Sequence, residues 1–281
     1  MNIEEVLQKA TIKLKDNNIE EARSKARRLL AFTLEMSKEQ IIMHNKEELT
    51  IEQENSYNEY VARIIIGEPI QYIIGKQEFM GIDFKVNPSV LIPQPDTEIL
   101  VERTIEILKH LKEPKVLDLC TGSGAIAVSI AKYVPNSIIF ASDISKQALE
   151  IARQNDNENK VNFVHSNLFE NIDGEFNVIV SNPPYIKTSE IQKLSKEVQN
   201  EPLLALDGGQ DGLLFYREII KQAHKYLEEQ GYLCIEIGED QKEQVITLIN
   251  NCSYYKNIQA FKDLSGHDRV IICEKNKSEK S

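Results

Sequence analysis

The feature that most constrains the fold is an alternation of two sequence patterns from Lys115 onward. Short runs rich in β-branched and aromatic residues alternate with longer stretches whose apolar residues have helical spacing. This alternation is typical of a parallel sheet with helices on both faces. We therefore predict an α/β domain, with a helix near residues 213–227 and strands VLDLC, SIIFAS, VNFVH, FNVIV and YLCIEI before two closing runs around Ile258 and residues 270–272.

The first 66 residues follow a different pattern, in which apolar residues recur at helical spacing between charged ones. This predicts a small helical bundle. From Gly67, glycine and proline interrupt short apolar runs, which indicates a β-hairpin, and Asp96 is predicted to cap a helix over residues 97–111. We expect a helical domain (residues 1–75), a β-hairpin linker (76–95) and an α/β domain (96–281), with a frayed tail from Lys275.

Composition narrows the class of protein. With 281 residues, 41% of them hydrophobic, the chain has enough apolar material for a folded protein of two domains or one large one. Its net charge of −11 disfavours nonspecific binding to nucleic acid, and no direct nucleic-acid binding is expected. The four cysteines and five histidines lack metal-ligand spacing, so no metal site is predicted. Without a signal-like or membrane-length apolar run, we expect a cytoplasmic protein that does not contact membranes. The sequence has no pattern that sets the oligomeric state, and we expect a monomer.

The turn after the first predicted strand is placed to bind a nucleotide-like ligand. Ligands of open α/β sheets bind at the carboxyl ends of strands, and Gly122 and Gly124 allow close approach of the backbone. Asp143 ends the second predicted strand, where a carboxylate can accept hydrogen bonds from ribose hydroxyls. This predicts an adenosine-bearing cofactor, with NAD as an alternative because Gly122, Gly124 and Ala127 also fit the dinucleotide fingerprint. The structural alternative for Asp143 is a helix N-cap.

The tetrapeptide Asn182-Pro183-Pro184-Tyr185 follows the fourth predicted strand and therefore lies at the same sheet edge as Gly122. Two prolines fix the backbone, so the Asn182 side chain and the Pro183 carbonyl become rigid acceptors beside the Tyr185 ring. Two acceptors and an aromatic face suit a planar NH2 group as substrate. The alternative is an ordinary proline turn after a strand.

An amide or exocyclic amine is a poor nucleophile because its lone pair is conjugated, as rotation barriers of about 18–20 kcal/mol show. Acceptors whose hydrogen bonds strengthen as the nitrogen gains positive charge stabilise the transition state more than the ground state. The electrophile that this implies is a sulfonium methyl group, and the chemistry needs neither a metal nor a side-chain nucleophile.

These motifs belong to a wider resemblance. Nearly the whole chain resembles the release factor glutamine N5-methyltransferases, the PrmC (HemK) family. The resemblance implies an N-terminal helical domain for substrate docking and a Rossmann-like S-adenosylmethionine domain. It also implies, as substrate and partner, the Gly-Gly-Gln glutamine of class I peptide chain release factors, the proteins of translation termination. The matching segments are GEPIQYIIG (67–75), LIPQPDTE (91–98), DLCTGSG (118–124), NPPY (182–185), EP (201–202) and ALDGGQDGL (205–213).

The resemblance also assigns roles to residues of this sequence. It implies that Asp143 binds the ribose, that Asn167 and Leu168 border the adenine, and that Asn182 faces both the methyl donor and the glutamine amide. The implied cofactor-binding residues are Cys120, Thr121, Gly122, Ser123, Gly124, Asp143, Asn167, Leu168 and Asn182; the implied catalytic residues are Asn182, Pro183 and Tyr185, and the implied substrate-binding residues are Asn182, Pro183, Pro184 and Tyr185.

Three positions depart from the usual pattern of the family. Cys120 stands where glycine is common, so we expect a negative φ there. Gln94 replaces a common arginine and removes a charge contact. Asn167 stands where an acid is frequent, which removes a charged contact to the adenine amine.

Three other functions compete with this one. Adenine-N6 nucleic-acid methyltransferases also carry Asn-Pro-Pro-Tyr, but the sequence pI of about 5.1 and the lack of a basic target domain disfavour them. A dehydrogenase explains the glycines and Asp143 and leaves Asn182 to Tyr185 without a role. A non-enzymatic adaptor that binds S-adenosylmethionine leaves the same tetrapeptide unexplained.

Overall fold

The computed structural model describes residues 1–277 and divides into two compact units. The first unit is Met1–Lys76 with Ser195–Asn200, and the second is Gln77–Leu194 with the chain from Glu201 onward. The sequence did not predict that Ser195–Asn200 joins the helical unit. Hydrogen bonds explain it: Asn200 Nδ2 donates to the Gly67 carbonyl at 2.9 Å, and Lys25 pairs with Glu197.

The first unit is helical, as the apolar spacing predicts. Three of its helices begin with a capping box, in which two residues three apart each accept the other's backbone N–H with their side chain. At the start of one of them, Thr50 Oγ1 accepts from Gln53 N, and Gln53 Oε1 accepts from Thr50 N. Its core contains the fully buried side chains of Leu29, Leu30 and Tyr57. The helices are α1 (Ile3–Asp16), α2 (Ala22–Thr33), α3 (Lys38–Met43), α4 (Ile51–Ile65) and α5 (Ile70–Ile74), with α9 (Lys196–Gln199) from the later segment.

The second unit contains the predicted hairpin and the α/β sheet. Strands β1 (Lys76–Phe79, which begins at the last residue of the first unit) and β2 (Ile82–Lys85) form a two-stranded sheet. The larger sheet contains β3 (Lys115–Leu119), β4 (Ile138–Asp143), β5 (Val161–His165), β6 (Phe176–Ser181), β7 (Leu227–Glu236), β8 (Tyr255–Lys262) and β9 (Asp268–Lys275). Its helices are α6 (Glu98–Leu108), α7 (Ala125–Tyr133), α8 (Lys146–Asn155), α10 (Leu203–Leu206), α11 (Leu214–Ala223) and α12 (Lys242–Asn250), with 3-10 turns at Pro95–Thr97 and Ile191–Lys193.

The strand order is β5-β4-β3-β6-β7-β9-β8, and the strands from β5 to β7 pair in parallel. Strand β9 pairs antiparallel with both β7 and β8, a detail that the alternation of patterns did not predict. Side chains alternate between the two apolar clusters: Val116 and Val178 belong to one, and Leu117 and Ile179 to the other. The prediction of a doubly covered α/β sheet with a helical domain and hairpin is confirmed. Because the chain order reverses between β3 and β6, their carboxyl ends border the crevice where such folds bind ligands.

The prediction that Asp96 caps a helix starting at residue 97 is wrong. A 3-10 turn occupies Pro95–Thr97, α6 starts at Glu98 and ends at Leu108, and Thr97 is at the N-cap position. The Asp96 carboxylate lies 3.2 Å from the Arg269 guanidinium. The carboxylate that local spacing assigned to the helix cap therefore pairs with an arginine that is distant in the sequence.

Two further boundaries differ from the sequence prediction. Leu227 begins β7 instead of ending a helix, because it pairs with Phe176 across the sheet. Lys275, expected in a frayed tail, is the last residue of β9 and pairs with Tyr255. Residues 278–281 of that tail lie outside the described residues. Within residues 1–277, no helix has the length and apolar character to cross a membrane.

Asn155 joins three segments of the second unit, so its replacement should destabilise the fold. Its side-chain oxygen accepts from Lys85 N at 2.7 Å, and its nitrogen donates to the carbonyls of Lys85 and Ser123 at 3.0 and 2.9 Å. We expect Asn155→Ala to lower the free energy of unfolding by about 3 kcal/mol, because buried backbone groups lose their partners. Chemical denaturation should show Asn157→Ala, at an exposed position, within about 0.5 kcal/mol of wild type. Equal stability of the two variants would contradict the role of Asn155.

Candidate active site

A cavity of about 380 Å³ lies at the carboxyl ends of the parallel strands of the second unit. Cys120 and Gly122, after β3, and Asp143, at the end of β4, line one part of it. Asn182 and Pro184, after β6, line another part. The structure thus brings the predicted cofactor turn and the tetrapeptide together at one edge of the sheet.

The turn after β3 is held by a buried carboxylate. Oδ2 of Asp118 accepts hydrogen bonds from Thr121 Oγ1 at 2.6 Å and from Ala127 N at 3.2 Å. Its Oδ1 has no hydrogen-bond partner within residues 1–277, and burial raises the pKa of Asp118 to about 7. Gly124 has φ +81°, and a Cβ there would lie 3.1 Å from the Ala152 Cβ, so a glycine suits both the turn and the packing. Thr121, Ser123 and Gly124 shape this turn and are absent from the residues that line the cavity, so their predicted cofactor contacts remain a prediction.

The expectation of a negative φ at Cys120 is wrong. Its φ is +61°, in the left-handed region that costs an L-residue roughly 1–2 kcal/mol. The next residue, Thr121, donates its N–H to the Ser142 carbonyl at 2.9 Å, so the chain must bend sharply as it leaves β3. The backbone conformation is therefore the one that glycine adopts easily, although this sequence has cysteine.

Asp143 connects the turn to the start of α8. Its Oδ2 accepts from Gly122 N at 2.8 Å and its Oδ1 from Ser145 N at 2.8 Å. The side chain at the N-cap of α8 is that of Ser145, which accepts from Ala148 N, so the alternative of Asp143 as an ordinary cap is wrong. Burial raises the pKa of the Asp143 carboxyl, and the N–H groups that it accepts oppose that rise. Each oxygen has further lone pairs that can accept hydrogen bonds from ligand hydroxyls.

The wall of the cavity beyond Asp143 includes both residues assigned to the adenine border. Asn167 and Leu168 line the cavity. The Asn167 side chain donates to Glu170 Oε1 at 2.9 Å, so its amide has a partner in the chain itself. Gln94, the other polar departure, is exposed and donates to the Ile92 carbonyl at 3.0 Å.

Asn182 is the first residue after β6. Its Nδ2 donates to Thr97 Oγ1 at 3.2 Å, and its Oδ1 accepts no hydrogen bond from the part of the chain that the structure describes. The side chain therefore has a free acceptor next to the cavity. Pro183 is buried behind it, while Pro184 lines the cavity.

Tyr185 does not line the cavity. Its hydroxyl lies 3.5 Å from Glu236 Oε1, and its carbonyl accepts from Gln241 Nε2 at 2.9 Å. The ring is partly buried against one apolar cluster of the sheet, and burial raises the pKa of Tyr185. Its predicted contact with the substrate remains a prediction, and its observed partners are Glu236 and Gln241.

Sequence reasoning assigned no role to three polar residues near this cavity. Glu201 is buried, and its Oε2 accepts from Ile92 N at 2.9 Å; burial raises the pKa of Glu201 to about 7. Thr97 and Glu236 lie behind Asn182 and Tyr185. A usable signal existed for Glu236, since an acid within the apolar run YLCIEI has to be buried with partners. Within residues 1–277, no group of three or more metal-ligating side chains is placed to hold a metal ion.

The left-handed conformation of Cys120 predicts that Cys120→Gly stabilises the protein. Glycine removes the steric cost, and its greater freedom in the unfolded chain offsets part of the gain, so the expected increase is about 0.5–1 kcal/mol. Denaturant unfolding should show this against Cys252→Ser, which changes a partly exposed cysteine elsewhere. A loss of stability in Cys120→Gly would mean that contacts of the thiol outweigh the strain.

Comparisons with known proteins identify the relatives of this chain. A family model described as "PrmC N-terminal domain" matches residues 5–75, and "Methyltransferase small domain" matches residues 95–264. A release factor glutamine methyltransferase of Thermodesulfovibrio yellowstonii is 42% identical over 90% of this chain and 92% of its own length. One of Clostridium acetobutylicum is 41% identical over 97% of this chain and 98% of its own length.

A solved structure supports the fold. A methyltransferase of Pyrococcus furiosus has a TM-score of 0.52 at 21% identity and covers 77% of this chain and 98% of its own. At that identity the likeness concerns the fold alone. The curated relatives, in contrast, match along almost the whole length at around 40% identity. Because relatives at about 40% identity match over almost its whole length, the chain belongs to the family of release factor glutamine methyltransferases.

Proposed function

We propose that this chain transfers a methyl group from S-adenosylmethionine to the side-chain amide nitrogen, N5, of the Gly-Gly-Gln glutamine of class I peptide chain release factors. The observation that carries the proposal is the free Oδ1 acceptor of Asn182 beside the cavity. The names of its relatives, release factor glutamine methyltransferases, support the same substrate class.

The residues around the cavity fit the methyl donor of the family. Its volume of about 380 Å³ lies within the roughly 300–1,000 Å³ range of cofactor sites. The Asp143 carboxylate has acceptors for ribose hydroxyls, Gly122 presents backbone without a side chain, and Leu168 offers an apolar wall for a base. S-adenosylmethionine supplies an electrophilic methyl group on a sulfonium, which needs no metal.

The role of Asn182 follows from the chemistry of amides. An amide nitrogen attacks poorly because its lone pair is conjugated with the carbonyl. The Oδ1 of Asn182 accepts one substrate N–H, and the rigid Pro183 carbonyl is the second acceptor that we propose. Both hydrogen bonds strengthen as the nitrogen leaves the plane and gains positive charge, so they lower the barrier more than they tighten substrate binding.

The competing functions fit less well. A nucleic-acid methyltransferase acting on adenine N6 would need basic surfaces to hold phosphates, whereas this chain has a net charge of −11. The two curated relatives described above are named release factor glutamine methyltransferases. A dehydrogenase reaction would leave Asn182 without a role.

The helical unit and the cellular setting complete the proposal. We propose that the helical domain, residues 1–75, docks the release factor while the α/β domain carries the reaction. The enzyme then works in the cytoplasm as a monomer, with protein rather than nucleic acid or membrane as its partner. A family model for the N-terminal domain matching residues 5–75 supports a shared role for this unit among relatives.

The proposal is tested by transfer of labelled methyl groups. We expect label on a purified class I release factor and none on DNA or RNA, with mass spectrometry placing the methyl group on the glutamine of Gly-Gly-Gln. The enzyme contains an internal control for substrate recognition, because Gly208-Gly209-Gln210 has the same tripeptide sequence in one of its own loops. The backbone of that loop is fixed, because Gly208 N donates to the carbonyl of Ile186, the residue after Tyr185, at 2.8 Å, so Gln210 should stay unmodified. Label on nucleic acid instead would contradict the proposal.

Replacing Asn182 should abolish most of the activity without unfolding the protein. We expect Asn182→Ala to lower kcat about 100- to 1000-fold, by analogy with the loss of one preorganised polar group from an enzyme site. Affinity for S-adenosylhomocysteine, measured by calorimetry, should change little. A loss of kcat below threefold would contradict the assigned role.

Asp143→Ala should act on cofactor binding. Because its hydrogen bonds to ribose hydroxyls would be present in both ground and transition states, their loss raises the KM for S-adenosylmethionine, by about 10- to 100-fold, and leaves kcat within a few-fold. Asp173→Ala, at an exposed position of the same unit, is the matched control, and its KM for S-adenosylmethionine should equal that of the wild type. A collapse of kcat at unchanged KM would show that the carboxylate acts elsewhere.

A further inference from the structure

The tetrapeptide is fixed by the sheet at its first residue, whereas its last residue, Tyr185, lies outside any strand. Ser181, the residue before Asn182, is still in β6 and is paired with β7. The proline rings fix φ at the two middle positions, so the direction of the Pro183 carbonyl depends on the ψ angles that remain. Those angles are defined only if the far end of the tetrapeptide is held as well.

The side chain of Gln241 holds that far end. It is 3% exposed, and its Nε2 donates to the carbonyls of Tyr185 at 2.9 Å and Gly212 at 3.3 Å. Its Oε1 accepts from Gly238 N at 2.9 Å and lies 3.2 Å from the Tyr216 hydroxyl. Because a backbone N–H only donates and a carbonyl only accepts, these partners determine which end of the amide faces Tyr185.

Gln241 is itself attached to the end of β7. Its backbone N–H donates to the Gly238 carbonyl at 3.0 Å, while Gly238 N donates to its side chain, so the two residues exchange hydrogen bonds. Strand β7 pairs in parallel with β6. Gln241 therefore connects the end of one strand to the loop that follows the neighbouring strand.

The loop after α10 packs against the same end of the tetrapeptide. A Cβ at Gly212 would lie 2.5 Å from the Tyr185 oxygen and 2.7 Å from Gln241 Nε2, and a Cβ at Gly208 would lie 2.7 Å from the Tyr185 Cα. Only glycine permits such a close approach of backbone to backbone. Gly208 N also donates to the carbonyl of Ile186 at 2.8 Å. The loop and Gln241 thus fix the backbone at Tyr185 together.

We propose that Gln241 is a positioning residue for methyl transfer, which fixes the Tyr185 carbonyl through its N–H groups and thereby sets the direction of the Pro183 carbonyl. Gln241 is absent from the residues that line the cavity, so it acts through the tetrapeptide. The inference rests on the proposed function, because the direction of this acceptor matters only if the substrate presents an N–H group.

Loss of the two donors should affect the rate of reaction more than binding. The hydrogen bond to the Pro183 carbonyl strengthens as the substrate nitrogen gains positive charge, so an acceptor that is no longer fixed in direction stabilises the transition state less. The proposed ribose site is held separately, by the hydrogen bond from Gly122 N to Asp143 at 2.8 Å. We therefore expect kcat to fall while the KM for S-adenosylmethionine stays nearly constant.

The first test compares two variants in labelled methyl transfer to a release factor. Gln241→Met is similar in length and removes both donors, and we expect kcat to fall about tenfold, the effect of one hydrogen bond, with both KM values within about threefold of wild type. Tyr216→Phe is the matched control, because it removes a hydroxyl next to Oε1 of the same amide and leaves both donors in place. Its kcat should stay within about twofold of wild type. Each variant should lower the Tm by about 2–4 °C, so a loss of stability alone does not account for the difference in kcat.

The second test uses the close approach of the loop. Gly212 and Gly174 have φ of +74° and +92°, so alanine is strained at both positions. The Cβ of Gly212→Ala would meet the Tyr185 carbonyl, whereas a Cβ at Gly174 has no atom of the described residues within 4 Å. We expect Gly212→Ala to lower kcat about tenfold or more and Gly174→Ala to keep it within about twofold of wild type.

The outcomes distinguish this inference from the proposed function. A wild-type enzyme that does not methylate the release factor overturns both. If the wild type is active, a kcat of Gln241→Met within threefold of that of Tyr216→Phe, or a rise in KM as large as the fall in kcat, overturns the positioning role and leaves the proposed function standing.

Folding of each variant is checked by circular dichroism. If Gln241→Met does not fold, the comparison of Gly212→Ala with Gly174→Ala decides, and equal kcat values for these two overturn the inference. If neither Gln241→Met nor Gly212→Ala folds while both controls do, the role of Gln241 is purely structural, and the inference is overturned as well.

Discussion

The parallel pairing of β3 with β6 is the constraint on which the site depends. Leu119 is opposite Ser181 in the register, and the Ser181 hydroxyl donates to the Leu119 carbonyl at 2.8 Å. One residue further along each strand, Cys120 and Asn182 leave the sheet. A slip of one residue would move every side chain of these buried strands to the opposite apolar cluster, where close packing would be lost, so packing specifies the register. The separation between the cofactor turn and the tetrapeptide is therefore set by the sheet.

Buried carboxyl groups then hold the loops that leave this edge. Asp118 accepts hydrogen bonds within the turn, Glu201 accepts from the Ile92 backbone, and Glu236 lies beside the Tyr185 hydroxyl. Burial raises the pKa of each of these acids to about 7. Removing a carboxylate from water is costly unless hydrogen bonds compensate. Each of these acids lies beside a loop that borders the cavity.

How far the sequence predicts this molecule depends on the range of each interaction. The strands, the placement of Asp143 at the end of β4, and the position of Asn182 beyond β6 follow from local periodicity and from the geometry of parallel sheets. Contacts between distant parts of the chain were not predictable in this way. The pairing of Asp96 with Arg269 displaced an expected helix cap, and Thr97 meets Asn182 across 85 residues of chain.

Backbone strain escaped prediction for a related reason. A residue type indicates what φ it prefers, and cysteine prefers negative values. The positive φ of Cys120 results from the turn that brings Thr121 N to the Ser142 carbonyl, which only the folded sheet defines. The same applies to Ser195–Asn200, whose place in the helical unit depends on Asn200 bonding the Gly67 carbonyl. Local sequence thus identifies the elements, and long-range contacts determine how their ends are arranged.

The central claim is that the free oxygen of Asn182 faces the nitrogen to be methylated. A crystal structure with S-adenosylhomocysteine bound tests it most directly, through the placement of the product sulfur relative to Asn182. The account predicts the ribose at Asp143, the sulfur on the Asn182 side of the cavity, and Oδ1 directed into the space beside it while Nδ2 remains on Thr97. A product bound elsewhere, or an Asn182 side chain turned away from the sulfur, would contradict it.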